Sequence, residues 1–203
     1  MTIQQLEQNL AEARRHLQAM QYNGTLQSAD FEAVSQAERD LAAAKGQEYA
    51  IQLDFGVAPE AAVSGPMLLQ DDYHAFLAFN AMRPRSDGMR ETAGLAIVEL
   101  QECSTTKFGY PNDEARPGHP LYRRGLGGYE IFEVLNSSWI NEQNQMNKVH
   151  FPETQMRPVR HFIFTFHEST LECIATDIKV EVAPFSPQFQ KIYDVLTVWD
   201  NVE

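Results

Sequence analysis

The run Arg160-His161-Phe162-Ile163-Phe164-Thr165-Phe166-His167-Glu168-Ser169-Thr170-Leu171-Glu172-Cys173 concentrates side chains able to move a proton. Successive side chains of a strand point to opposite faces. Phe162, Phe164 and Phe166 therefore share one face, a core face, and His161, Ile163, Thr165 and His167 share the other. If the chain reverses around Ser169-Thr170, a two-residue and a four-residue loop both oppose His167 to Glu172 and Phe166 to Cys173. A carboxylate beside an imidazole orients the ring and favours its protonated form, the pairing used by general bases and metal-ligating histidines. The same pair also serves as a plain structural hydrogen bond, and both readings stand at this point. His161 cannot join His167 on one centre, because six residues of straight strand separate them by roughly 20 Å. A third member has to come from elsewhere, and His119 and His150 are the candidates.

A second set of candidates is cationic. Arg116, Arg123 and Arg124, with Lys107, fall in one long connection that also holds Tyr110 and Tyr122, a mixture suited to clamping an anion or an acidic partner. Solvated loop residues are the competing reading. Trp139, in an Asn- and Gln-rich stretch, is a further binding anchor or the lid of a core. Other signatures fail on spacing. His167-Glu168 begins a zincin-like string, but Leu171 stands where the second histidine is required. Gly125-Leu126-Gly127-Gly128 precedes a strand-like run, so it lacks the helix N-terminus that would hold a phosphate. No Gly-x-Ser-x-Gly or Walker sequence occurs. The two cysteines, Cys103 and Cys173, form no Cys-x-x-Cys pair and read as free thiols in apolar strands. Neither a metal nor a cofactor is expected.

The elements that carry these residues follow from periodicity. Ile3, Leu6, Leu10, Ala13, Leu17 and Met20 alternate by three and four, a narrow helical seam behind a Thr2/Gln5 capping box. Val34, Ala37, Leu41 and Ala44 form a second seam, capped by Ser28 or Asp30 and ended by Gly46. The short connection implies an antiparallel hairpin over residues 1–46, its seam spent within the chain or shared with a second copy. After Gly46 the period falls to two. Strands are expected at Tyr49–Phe55, Tyr73–Asn80, Gly94–Leu100, Tyr129–Leu135, Arg160–His167 and Leu171–Val182. A helix is expected from Ser186-Pro187, with Phe189, Ile192, Tyr193, Leu196 and Trp199 on one face. Residues 104–128 and 136–158 are long connections, the first without structure and the second with one short helix from Ser137. The fold class is α+β: a helical hairpin, a mainly antiparallel sandwich or curled sheet over 47–203, and a closing helix.

Twenty-eight acidic residues against sixteen basic ones give a net charge of −12, with twelve basic and twenty-two acidic residues beyond position 46. A field of that sign repels phosphate backbones, which argues against nucleic acid as a partner. No stretch approaches the roughly 18 apolar residues that span a bilayer, and the N-terminus has no leader pattern. A cytoplasmic, membrane-free protein is expected. The segment Phe-Thr-Phe-His-Glu-Ser-Thr-Leu-Glu-Cys, with Gly-His-Pro-Leu-Tyr and Asn-Ser-Ser-Trp-Ile before it, resembles an uncharacterised bacterial protein family over Gly118 to Ala175. That resemblance attaches no activity. The function expected is a non-enzymatic interaction or assembly module working through the hairpin. The alternative is an enzyme or small-molecule binder with a pocket near His167 and Glu172, its anion held by Arg123 or Arg124.

Overall fold

A computed structural model describes residues 1–62, 65–154 and 157–183. The helix expected from Ser186 lies outside the described residues. Helix α1 (Ile3–Asn23) opens on the expected capping box, in which Gln5 N–H donates to Thr2 Oγ1 at 3.2 Å and Thr2 N–H to Gln5 Oε1 at 2.8 Å. Helix α2 (Ser28–Ala44) starts one residue earlier than a Ser28 cap would place it. Asp30, inside its first turn, reaches back to accept from Gln27 N–H at 2.8 Å. The helices pack antiparallel and are tied by Arg14–Glu38 and Lys45–Glu7 ion pairs and by a 3.1 Å His16–Asp30 contact. Leu6 and Leu10 are buried in the seam, while Ala13, Leu17 and Met20 are half-buried and Ile3 is exposed. The far side of α2 rests on the β domain.

That domain is a sandwich of two five-stranded antiparallel sheets. The first holds β1 (Tyr49–Leu53), β6 (Thr105–Gly109), β7 (Ile131–Leu135), β8 (Arg160–Thr165) and β9 (Thr170–Ala175), in the order β1-β7-β8-β9-β6. The second holds β2 (Ala58–Pro59), β3 (Met67–Gln70), β4 (Ala75–Pro84), β5 (Arg90–Gln101) and β10 (Asp177–Ala183), in the order β10-β5-β4-β2, with β3 also paired to β4. Phe162, Phe164 and Phe166 meet Leu77, Phe79 and Val98 between the sheets, with the Phe79 ring 6.4 Å from Phe164 and 5.5 Å from Phe166. Each ring so buried contributes about 1.5–3 kcal/mol.

Two expectations are corrected. The run Leu171–Val182 is two strands in different sheets, because at Thr176 both N–H and Oγ1 turn to Gln101 O and the chain crosses over. The connection 104–128 is not structureless: it begins as β6 and continues through two 3-10 turns, Arg116–Gly118 and Tyr122–Arg124. It lies over the outer face of the first sheet, where Leu121 and Leu126 pack on Ala50, Phe132, Val134 and Ile163. That cover leaves His161, Ile163 and Thr165 almost inaccessible on the face opposite the phenylalanines. Helix α3 (Ser138–His150) begins at Ser137, as expected, with Ser137 Oγ accepting from Ile140 N–H at 3.2 Å.

Candidate functional site

His167 and Glu172 do not face each other. The hairpin pairs Thr165 with Thr170 and Ile163 with Glu172, four residues out of the expected register. Phe166 N–H closes the loop onto Ser169 O at 2.9 Å, so His167 stands at the tip of the turn. A shift by an even number of residues keeps every side chain on its face. Alternation alone therefore allowed both registers, and the observed one sets Phe164 against Leu171 and Phe162 against Cys173 inside the core.

At the tip, the orienting carboxylate is Asp113. Its N–H donates to His167 O at 2.8 Å, and its Oδ2 lies 2.8 Å from His167 Nδ1. The Tyr129 hydroxyl donates to the same oxygen and lies 3.2 Å from Nδ1, while the Tyr129 and His167 rings stack at 6.5 Å. Tyr129 holds this position at φ +58°, a conformation that costs a bulky residue about 1–3 kcal/mol. The Tyr129 hydrogen bond holds the Asp113 carboxyl below its ordinary range; burial opposes this, and the His167 contact reinforces it. The same bond to Asp113, with burial behind it, raises the Tyr129 phenol. With Nδ1–H committed to a carboxylate, Nε2 is the nitrogen left to exchange a proton. It lies 3.4 Å from the exposed Glu168 carboxylate, and about a third of the His167 side chain is exposed.

Arg116 completes this corner. Its guanidinium sits 5.7 Å from the Tyr129 ring centre and so close over Gly128 that an added Cβ would come within 2.4 Å of Nη2. Nε and Nη1 are buried with no hydrogen-bond partner, and Ser169 Oγ is the third such atom among the described residues. Each flanks the His167 turn or its stacking partner. A cleft of about 420 Å3 opens between α2 and Gly125–Gly128, and its lining does not include His167, Asp113, Tyr129 or Arg116.

Glu172 belongs to a second, closed cluster. Its Oε2 lies 3.0 Å from His161 Nε2, and its Oε1 lies 3.7 Å from His119 Nε2. His161 Nδ1 is 3.0 Å from Ser137 Oγ, and His119 Nδ1 accepts from Leu121 N–H at 3.1 Å. Trp139 stands edge-on to His161 at 5.2 Å, and Lys107 Nζ covers its other face at 3.7 Å. Burial alone would push the Glu172 carboxyl up. The close approach of His119 and the hydrogen bond from His161, with the charges of His161 and Lys107, outweigh it and hold the group well below the usual carboxylate range. The side chains of His161 and His119 are only 4% and 11% exposed, so this cluster holds the covering loop and α3 onto the sheet.

The candidates named from sequence thus divide among three places. His167 and Arg116 share the turn corner, while Glu172, His119 and Trp139 share the closed cluster. Tyr122, Arg123 and Arg124 lie on the second 3-10 turn, which packs beside α2 and touches the first turn. Of the two histidines offered as a third member, His119 lies beside Glu172 but not His167, and His150 is exposed at the end of α3. Asp113, Tyr129 and Ser137 were missed. Asp113 sits in an Asn112-capped turn indistinguishable from any polar turn, and the positive φ of Tyr129 leaves no trace in residue type. Among the described residues, no group of three or more His, Cys, Asp and Glu is placed to hold a metal ion, and no helix is long and apolar enough to cross a membrane. No protein family, curated protein or solved structure matches the chain.

Proposed function

We propose that the protein acts by proton transfer on a small anionic molecule at the His167 turn, with His167 Nε2 as general base. The observation that carries this reading is the Asp113–His167 pair, which fixes Nδ1–H and leaves Nε2 at an accessible edge. Asp113 is the orienting group, and Tyr129 holds Asp113 ionised. Arg116, whose buried Nε and Nη1 lack a hydrogen-bond partner among the described residues, supplies the attraction for an anion, because unsatisfied guanidinium N–H groups gain most from a new negative partner. Arg123 and Arg124 have no part in it. Thermal-shift and calorimetric titration with a panel of small carboxylates and phosphates, inorganic phosphate as reference, tests the reading. The wild-type chain is expected to bind at least one panel member and the H167Q variant to remain folded without binding. Binding that survives in H167Q removes His167 from the site.

A second reading is assembly through the helical hairpin. Tyr22 at 92% and Phe31 at 54% exposure stand near its turn. Exposed aromatic residues of this kind anchor interfaces. Light scattering of the Y22S/F31S variant against wild type separates the readings: a mass that falls to that of one 23.1 kDa chain supports assembly, and a monomeric wild type removes it.

A further inference from the structure

Cys103 and Cys173 are seventy residues apart in sequence and adjacent in space. Cys103 lies in the turn between β5 and β6, where the chain crosses from one sheet to the other. Ser104 N–H donates to Ile174 O at 2.9 Å although the register opposes Thr105 to Ile174, so two residues face one. The Cys103 side chain packs against the core cluster that contains Cys173. Strand β6, which follows Cys103, pairs with β9, which carries Cys173, and Cys103 Sγ lies 3.5 Å from Thr105 O. Cys173 is fully buried, whereas Cys103 is partly exposed. One thiol is reachable, and its partner is held behind it, the arrangement of an attacking and a resolving cysteine.

We infer that Cys103 and Cys173 form a reversible oxidation site, closed by hydroperoxides to an intramolecular disulfide that staples the corner between the two sheets. The Cys103 thiolate attacks one peroxide oxygen, an S–O bond forms as the O–O bond breaks, and the alcohol or water leaves with a proton. Cys173 sulfur then attacks the sulfenic sulfur, the S–S bond forms, and the S–O bond breaks to release water, which takes the thiol proton. Two thiols lose two electrons in all, and the hydroperoxide is reduced by two. The neighbouring Cys173 thiol lowers the Cys103 thiol's pKa against the opposing effect of burial, and the Cys173 thiol is pushed up, which orders the two roles. The site is independent of His167.

Native protein treated with hydrogen peroxide and then alkylated in denaturant tests this inference. The expected product is a single chain lighter by two hydrogens, unalkylated at both cysteines, giving one peptide pair joined through Cys103 and Cys173 and restored by dithiothreitol. C173S is expected to leave a dimedone-reactive sulfenic acid at Cys103. Two alkylated cysteines after oxidation, a disulfide between separate chains, or Cys103 driven to the sulfinic acid without a cross-link would each overturn it.

Discussion

At the scale of single residues, one histidine and one carboxylate were paired wrongly from sequence, and the chemistry expected of the pair is found with another partner. Asp113 does for His167 what Glu172 was expected to do, and Glu172 serves a buried network instead. The two carboxylates therefore make different predictions. A carboxyl whose folded pKa is depressed contributes stability above its ordinary value and loses it as pH falls toward the folded value. Glu172, ordinarily near 4.5, follows that rule. We expect E172Q to cost about 1–3 kcal/mol at neutral pH through its imperfectly satisfied buried partners. The gap from wild type should close as pH drops below 4.5, which urea unfolding across pH would measure. A gap that is constant with pH would show that the charge on Glu172 is not what stabilises the cluster. Gly128 offers the complementary prediction. The nearest atoms a Cβ there would meet belong to the end of the Arg116 side chain, so G128A should leave the unfolding midpoint nearly unchanged while displacing that guanidinium and weakening anion binding in the same titration used for H167Q.

At the scale of elements, most of the fold was legible because helices and strands declare themselves by period. The α1 seam, the Ser137 start of α3 and the phenylalanine face of β8 follow directly from residue spacing. Hairpin register did not follow, since a four-residue slip preserves every face, and neither did the contact between loop 104–128 and the sheet. That contact depends on close approach: Gly125, at φ +100°, has Ala50 O where a Cβ would sit, at 2.1 Å, with the Arg39 chain of α2 beside it. We expect G125A to destabilise the protein by about 2 kcal/mol or more through backbone strain and displaced packing, and to loosen α2 from the domain. Hydrogen exchange in α2 and in 116–126 reads that loosening. S137A should cost about 1–2 kcal/mol, since it removes both the cap of α3 and the partner of His161; a loss under half of that would show the cap to be idle.

At the scale of the whole molecule, the sandwich is a rigid support with one face dressed by a loop. That loop is fixed at one end by Asp113 on His167 and further along by His119 near Glu172. The closed cluster secures the loop, and the turn corner keeps a reachable imidazole. An acidic molecule of net charge −12 offers little long-range attraction to an anion, so recognition rests on the local charge of Arg116. The central claim is that His167 keeps its Nδ1 proton on Asp113 and works through Nε2. Long-range nitrogen–proton NMR of the imidazoles at neutral pH tests it most directly, on wild type and on D113N. The account expects His167 Nδ1 to carry a slowly exchanging proton in wild type, with D113N freeing that proton and Nε2 shifting when inorganic phosphate or a panel anion binds. A bare Nδ1 in wild type, or a His167 spectrum indifferent to both the substitution and the anion, would contradict it.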